Sequence, residues 1–157
     1  MILSVDAAAL VVDAWRRAGR RVVFTNGVFD ILHPGHVRYL QAARAEGDAL
    51  IVAVNSDRSV RATKGAGRPV NHERERAEVI AALASVDAAV VFDDDTPAAI
   101  VRQLQPDVLV KGADWPADQI VGRETVEARG GRVVLVPVAA EFSTSAIIAR
   151  ARALPRP

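Results

Sequence analysis

Two histidines three positions apart, His33 and His36, stand in the run His33-Pro34-Gly35-His36. Their types and spacing suit the holding of a polyphosphate. Pro34 occupies a favoured first helical position, so the pair sits at a helix mouth. The unpaired N–H groups and dipole at a helix N-terminus attract anions. Gly35 carries no side chain to keep a phosphate from the backbone. Two imidazoles on one face can donate to phosphoryl oxygens as charge builds there. The preceding residues, from Val22 through Thr25, Asn26, Gly27, Phe29 and Asp30, read as an apolar strand entering a small-residue turn.

Three other segments carry polar groups suited to the same ligand class. Lys64-Gly65-Ala66-Gly67-Arg68-Pro69 places two cations in a glycine-rich loop. Lys64 offers a compact charge and Arg68 a planar fork, and together they can close over phosphates; a solvated connection is the plainer alternative. In Val108-Leu109-Val110-Lys111-Gly112-Ala113-Asp114-Trp115 a strand delivers Lys111 and Gly112 to its end. Gly112 permits close approach of a base or ribose, Asp114 can accept from either, and Trp115 serves equally as cover or as packing. In Phe142-Ser143-Thr144-Ser145 the first serine is a natural N-cap. Three hydroxyls at a helix start form a second anion site or an ordinary cap.

These motifs need a scaffold that gathers them at one edge, and the pattern supplies it. Ser4 caps a helix over about 5–18 that ends at Gly19, and Arg21–Thr25 is a buried strand. A helix runs from Pro34 to about Glu46, and Ala49–Val54 is a second strand. Arg58–Ala66 reads as a polar connection. Asn71 caps a helix to about Ala84 whose apolar side holds Ala77, Val79, Ile80 and Leu83. Ala88–Phe92, Asp107–Val110 and Arg132–Val136 are further strands, separated by helices from Thr96-Pro97 to Leu104 and over Ile120–Ala128. A last helix covers Ser143–Arg152. Five apolar strands alternating with helices predict an α/β, Rossmann-like, doubly wound parallel sheet with helices on both faces. Ligands of such sheets bind beyond the carboxyl ends of the strands, and each motif above follows a strand. The expected organisation is a single domain over 1–157, with a core over about 20–152.

Composition fits this reading. The chain has 157 residues, 50% hydrophobic and 25% charged, which describes a globular domain rather than a disordered one. A net charge of +1 without charged blocks points to neither nucleic acid nor a membrane surface as partner. Without cysteine, no disulfide framework and no thiolate metal site is available. The absence of a convincing secretory signal or a membrane-length apolar run leads to the expectation of a cytoplasmic protein.

Taken together, Thr-Asn-Gly-x-Phe-Asp-x-Leu-His-x-Gly-His, Val-Asn-Ser-Asp, Lys-Gly-x-Gly-Arg-Pro-Val-Asn, Val-Lys-Gly-x-Asp and Phe-Ser-Thr-Ser resemble the nucleotidyltransferase superfamily that carries an H-x-G-H motif. The resemblance covers roughly residues 5–152. The Lys-Gly-x-Gly-Arg-Pro loop points within it to the D-glycero-D-manno-heptose 1-phosphate adenylyltransferase branch, often the second domain of a bifunctional heptose kinase/adenylyltransferase. Cytidylyltransferases for glycerol 3-phosphate carry an Arg before the last helix; the corresponding segment here, Val138-Ala139-Ala140-Glu141-Phe142, has none. Val28 stands where heptose enzymes often have Cys.

The resemblance implies ATP plus a sugar 1-phosphate giving a nucleotide sugar and pyrophosphate. His33, His36 and Lys64 would be catalytic. Thr25, Asn26, Gly27, Phe29, Gly35, Lys111, Gly112, Asp114, Ser143, Thr144 and Ser145 would hold the nucleotide. Asp30 and Arg68 would face the acceptor, with Asp30 near it or the ribose. Mg²⁺ would travel on the triphosphate with no protein ligand assigned. A homodimer is implied, as are a separate sugar kinase and phosphatase upstream. A polyol-phosphate cytidylyltransferase, an FMN adenylyltransferase and an idle nucleotide-binding module remain as alternatives. Base choice is left to backbone groups near 111–114 and 138–142. An aminoacyl-tRNA synthetase is disfavoured by the lack of a Lys-Met-Ser-Lys-Ser-like loop.

Overall fold

The computed structural model describes residues 1–138 and 141–155. In chain order its elements are β1 (Ile2–Leu3), α1 (Val5–Arg17), β2 (Val22–Gly27), α2 (Pro34–Arg44), β3 (Ala49–Asn55), α3 (Asp57–Lys64), α4 (Glu73–Ala81), β4 (Ala88–Phe92), α5 (Ala98–Leu104), β5 (Val108–Gly112), α6 (Arg123–Glu127), β6 (Arg132–Val136) and α7 (Thr144–Ala153). The strands form one sheet in the order β1-β4-β3-β2-β5-β6, and every neighbouring pair is parallel. The chain moves outward from β2 through β3 and β4, then returns to the other side of β2 for β5 and β6. The order therefore reverses between β2 and β5, which makes their carboxyl ends the expected crevice.

The strands read as unbroken apolar runs because both faces are covered. Val22, Phe24, Ile51, Ala53 and Leu109 face one core with Ala8, Val12, Ile100 and Val126 from α1, α5 and α6. Val23, Leu50, Val52, Val54 and Val110 face the other with Leu40 and Ala43 of α2 and Ala77 and Ile80 of α4. Truncating Leu40 to Ala is expected to destabilise by about 2–5 kcal/mol, the usual range for a fully buried leucine.

The sheet has six strands rather than the expected five. The addition is β1, whose Ile2 and Leu3 align with Ala89 and Val90. Two residues are too few for a periodic signal. The polar connection expected over 58–66 is mostly helix α3. Ser56 caps it by accepting from Ser59 N at 3.1 Å, and its core-facing side is only Ser59 and Val60. One apolar residue makes no amphipathic stripe. Helix α4 is capped by His72 rather than Asn71. Its buried face is Arg76, Ala77 and Ile80, while Val79 is 49% exposed. An arginine thus takes the place that hydrophobicity assigned to valine. Ser4 accepts from Ala7 N and caps α1 as expected.

Candidate active site

The turn after β2 is shaped by close packing. Phe29 is buried and holds φ at 47°, a left-handed conformation uncommon outside glycine. Such strain persists only where the surroundings over-determine it. Here the Phe29 ring lies over Gly27 and meets the His36 ring edge-on, with centroids 5.5 Å apart. His33 is the N-cap residue of α2, and its side chain makes no capping bond. Its ring stacks on His36 at 3.7 Å and 18°. A Cβ on Gly35 would fall 3.0 Å from His33 Nδ1 and 3.1 Å from Phe142 Cβ. Only glycine leaves room for the imidazole to fold over the helix start.

The histidine pair is electrostatically unfinished. The Nδ1 atoms of His33 and His36 are buried and have no partner among the described residues. Burial, aided by the neighbouring His33, lowers the His36 pKa to about 4. Burial also lowers that of His33. Both rings are neutral at pH 7, so each presents one N–H donor and one acceptor nitrogen.

Lys111, at the end of β5, crosses to β2 and donates to Asn26 Oδ1. On its other side the ammonium lies 5.9 Å from the centroid of the exposed Trp115 ring. Burial lowers its pKa to about 8. Among the described residues no carboxylate pairs with it. A half-buried cation answered among the described residues by an amide oxygen and an aromatic face suits an anion that arrives from solution. Gly112 lies against Asp114 and Val138, where any Cβ would collide. Asp114 is exposed.

Helix α7 brings a second N-terminus to the same place. Phe142 stacks at 6.1 Å from His33, and Thr144 Oγ1 donates to Ile31 O at 3.4 Å. The Ser143 hydroxyl is occupied as the cap, accepting from Ala146 N at 3.0 Å. Ser145 is exposed. The backbone groups considered for base choice include Ala139 and Ala140, which lie outside the described residues.

Three expected ligand residues are already engaged within the protein. Thr25 is fully buried, and its hydroxyl is 2.8 Å from Tyr39 Oη, which in turn donates to Val110 O at 3.3 Å. Asp30 was expected near the acceptor or ribose, but its buried carboxylate accepts from Arg68 Nε at 2.6 Å. It also accepts from Val70 N at 2.8 Å and from Asn71 N at 3.0 Å. Backbone donors and Arg68 outweigh burial and hold its pKa below the usual value. Arg68 is thereby turned inward. Lys64 is exposed at the end of α3, which Gly65 terminates at φ 89°.

Two residues that position the site were not singled out in the sequence. Tyr39 joins α2 to the ends of β2 and β5 through the bonds above. Burial raises its pKa to about 12. Arg76 donates to Val28 O at 2.6 Å, Asn55 O at 2.8 Å, Asp57 Oδ1 at 2.7 Å and Asn71 O at 3.0 Å. One buried guanidinium thus ties together the ends of β2, β3 and α4. Its partners lie far apart in sequence; the only available signal was a charge on the apolar side of a helix.

A family profile described as cytidylyltransferase-like matches residues 24–150. The chain belongs to the cytidylyltransferase-like family. Its match spans the histidine turn, Lys111 and the first turn of α7. Among curated relatives, "Bifunctional protein HldE" of Hyphomonas neptunium (strain ATCC 15444) is 53% identical over 149 residues, covering 95% of this chain and 31% of that protein. The protein of the same name in Rhodopseudomonas palustris (strain TIE-1) is 58% identical over 138 residues, covering 88% and 28%. The chain therefore spans about a third of the length of these relatives. Among solved structures, the lipopolysaccharide core biosynthesis protein from Thermoplasma volcanium GSS1 has a TM-score of 0.64 at 31% identity, covering 77% of this chain and 98% of that one. Pantoate-beta-alanine ligase from Francisella tularensis has a TM-score of 0.63 at 13% identity, covering 97% and 77%, a likeness of fold alone.

Proposed function

We propose that this domain transfers an adenylyl group from ATP to a sugar 1-phosphate, D-glycero-β-D-manno-heptose 1-phosphate, and releases pyrophosphate. The observation that carries the chemistry is the stacked, neutral His33–His36 pair at the α2 N-terminus, with the α7 N-terminus packed beside it at the crevice. The substrate class is supported by the heptose-branch motifs and by the 53–58% identity to proteins named HldE.

In the proposed reaction an oxygen of the sugar phosphate attacks the α-phosphorus in line with the bond to the β-phosphate. That bond breaks, and pyrophosphate leaves with its electron pair. No covalent enzyme intermediate is required; the protein's work is positioning and charge stabilisation. His33 and His36 donate to the α-phosphate and the leaving phosphates. Lys64 bridges the acceptor and the α-phosphate. Lys111 supplies a fixed cation at the nucleotide, and Ser145 with the α7 N-terminus receives the β- and γ-phosphates. Asn26, Gly27, Gly112 and Asp114 line the nucleotide. Thr25, Phe29, Asp30 and Arg68 act by holding these groups in place.

Among the described residues no group of three or more His, Cys, Asp or Glu side chains forms a metal cage. Mg²⁺ is accordingly proposed to enter on the triphosphate, where it neutralises charge, and no step is assigned to it. A homodimer, a cytoplasmic setting, and an upstream sugar kinase and phosphatase complete the proposal. Among the described residues no helix is long and apolar enough to cross a membrane.

The test is pyrophosphate release by the purified protein with Mg²⁺, crossing ATP, CTP and GTP with the heptose 1-phosphate, glycerol 3-phosphate and FMN. Release confined to ATP with the heptose phosphate is expected. Release with CTP and glycerol 3-phosphate would keep the mechanism and overturn the substrate assignment.

A further inference from the structure

The buried Asp30 carboxylate joins two segments that are distant in sequence. It lies three residues before His33, in the turn that sets the histidine pair. Its side chain has 0% exposure. Its oxygens receive Arg68 Nε, Val70 N and Asn71 N, while its backbone oxygen accepts from Asn71 Nδ2 at 2.8 Å. Each of these hydrogen bonds falls on the return limb of the loop that begins at Lys64. Arg68 N also donates to Gly65 O at 3.1 Å, which closes that loop into a turn.

We propose that Asp30 is a positioning residue that couples the Lys64 loop to the histidine pair. This rests on the role assigned to Lys64 above. The physical reason is reach. Lys64 and Arg68 are four positions apart, and such a span covers at most about 14 Å when fully extended. Two of the intervening residues, Gly65 and Gly67, add little stiffness of their own. Pinning Arg68, Val70 and Asn71 to the histidine turn therefore keeps Lys64 within that span of a residue bonded to the turn. Lys64 is the last residue of α3, so without the latch only that helix sets its place relative to the histidine turn. Lys111 and the start of α7 are held by contacts that do not involve the latch.

The test is a double-mutant cycle of Asp30→Asn with Lys64→Ala, read by pyrophosphate release and by amide hydrogen exchange. In the parent, Lys64→Ala is expected to lower kcat/KM for the acceptor about 10²-fold, as for other transition-state contacts. Asp30→Asn is expected to raise the acceptor KM and lower kcat while leaving the ATP KM within about threefold. In that background Lys64→Ala should cost less than about threefold, because the ammonium is no longer placed. Val70 and Asn71 amides should lose protection while β3 amides keep theirs. If Asp30→Asn fails to fold, Arg68→Leu removes the side-chain bond to the Asp30 carboxylate, and the loss caused by Lys64→Ala should again shrink. Equal losses from Lys64→Ala with and without the latch would overturn the coupling. A full-length parent that releases no pyrophosphate would instead overturn the functional reading, and this proposal with it.

Discussion

The two ends of the parallel sheet are built on opposite electrostatic rules. At the amino end, aspartates immediately precede three strands, and each carboxylate receives a neighbouring backbone N–H. Asp48 takes Arg21 N, Asp87 takes Leu50 N and Asp107 takes Val22 N, each at 2.8 Å. Asp87 also pairs with Arg44 at 3.1 Å and Arg20 at 3.4 Å. Arg16 has one unpartnered nitrogen, Nε, but its other nitrogens bond Asp13 and the carbonyls of Leu104 and Gln105. At the carboxyl end, among the described residues, two buried imidazole nitrogens lack partners and the half-buried Lys111 ammonium pairs with no carboxylate. The amino end leaves a single nitrogen of one otherwise bonded guanidinium unpartnered among the described residues. The carboxyl end keeps unsatisfied imidazole nitrogens and a partly desolvated cation, which lowers stability and is the pattern expected of a binding site.

Substitutions at the two ends should therefore separate activity from stability. The largest effect is expected from His36→Ala, with turnover falling about 10²–10³-fold, the usual loss for one transition-state donor. Its melting temperature at pH 5 should be no lower than the parent's. The sign follows from linkage. His36 is depressed from 6.5 to about 4 in the folded chain, so between those values the unfolded state binds more protons. Stability contributed by the neutral ring is present above pH 6.5 and is lost as pH falls toward 4. Pyrophosphate release and a thermal melt at two pH values check both halves.

Lys111→Met should raise the KM for ATP about tenfold or more, the loss expected for a charge-assisted phosphate contact, and should raise the melting temperature at pH 7. A lysine depressed from 10.5 to about 8 is unfavourable to the fold while charged. That penalty is relieved as pH rises from 8 to 10.5. The parent should also show an alkaline limb in kcat/KM near pH 8, absent from the variant.

Asp107→Ala should do the reverse. It leaves the N–H of Val22 without its acceptor and is expected to destabilise by about 1–3 kcal/mol, read by urea unfolding, with kcat/KM unchanged. The smallest effect is expected from Tyr39→Phe, about 0.5–1.5 kcal/mol of stability from the lost hydroxyl bonds, with a minor decrease in kcat.

The sequence made the histidine turn, the caps at Ser4 and Ser143, and the main strands legible, because each rests on neighbours close along the chain. Strand β1 was hidden by its length and α3 by its single buried apolar residue. The site itself was half legible. Residue types pointed to phosphates as the ligand class and put Asn26, Lys111 and the start of α7 at one edge of the sheet. They did not show that Asp30 and Arg68 engage each other, that Thr25 and Phe29 face inward, or that Arg76 and Tyr39 hold the strand ends. The bonds of Thr25, Tyr39 and Asp30, and that of Arg76 to Asn55, join residues 14 to 71 positions apart, a separation no local pattern encodes.

The central claim is that phosphates complete the unfinished end of the sheet. The most direct measurement is a ¹⁵N NMR titration of the histidine side chains, with and without ATP and Mg²⁺. The account predicts that His36 titrates near 4 in the free protein and well above that when ATP is bound, because anionic oxygens favour the protonated ring. An unchanged His36 pKa in a protein demonstrably saturated with ATP would contradict it.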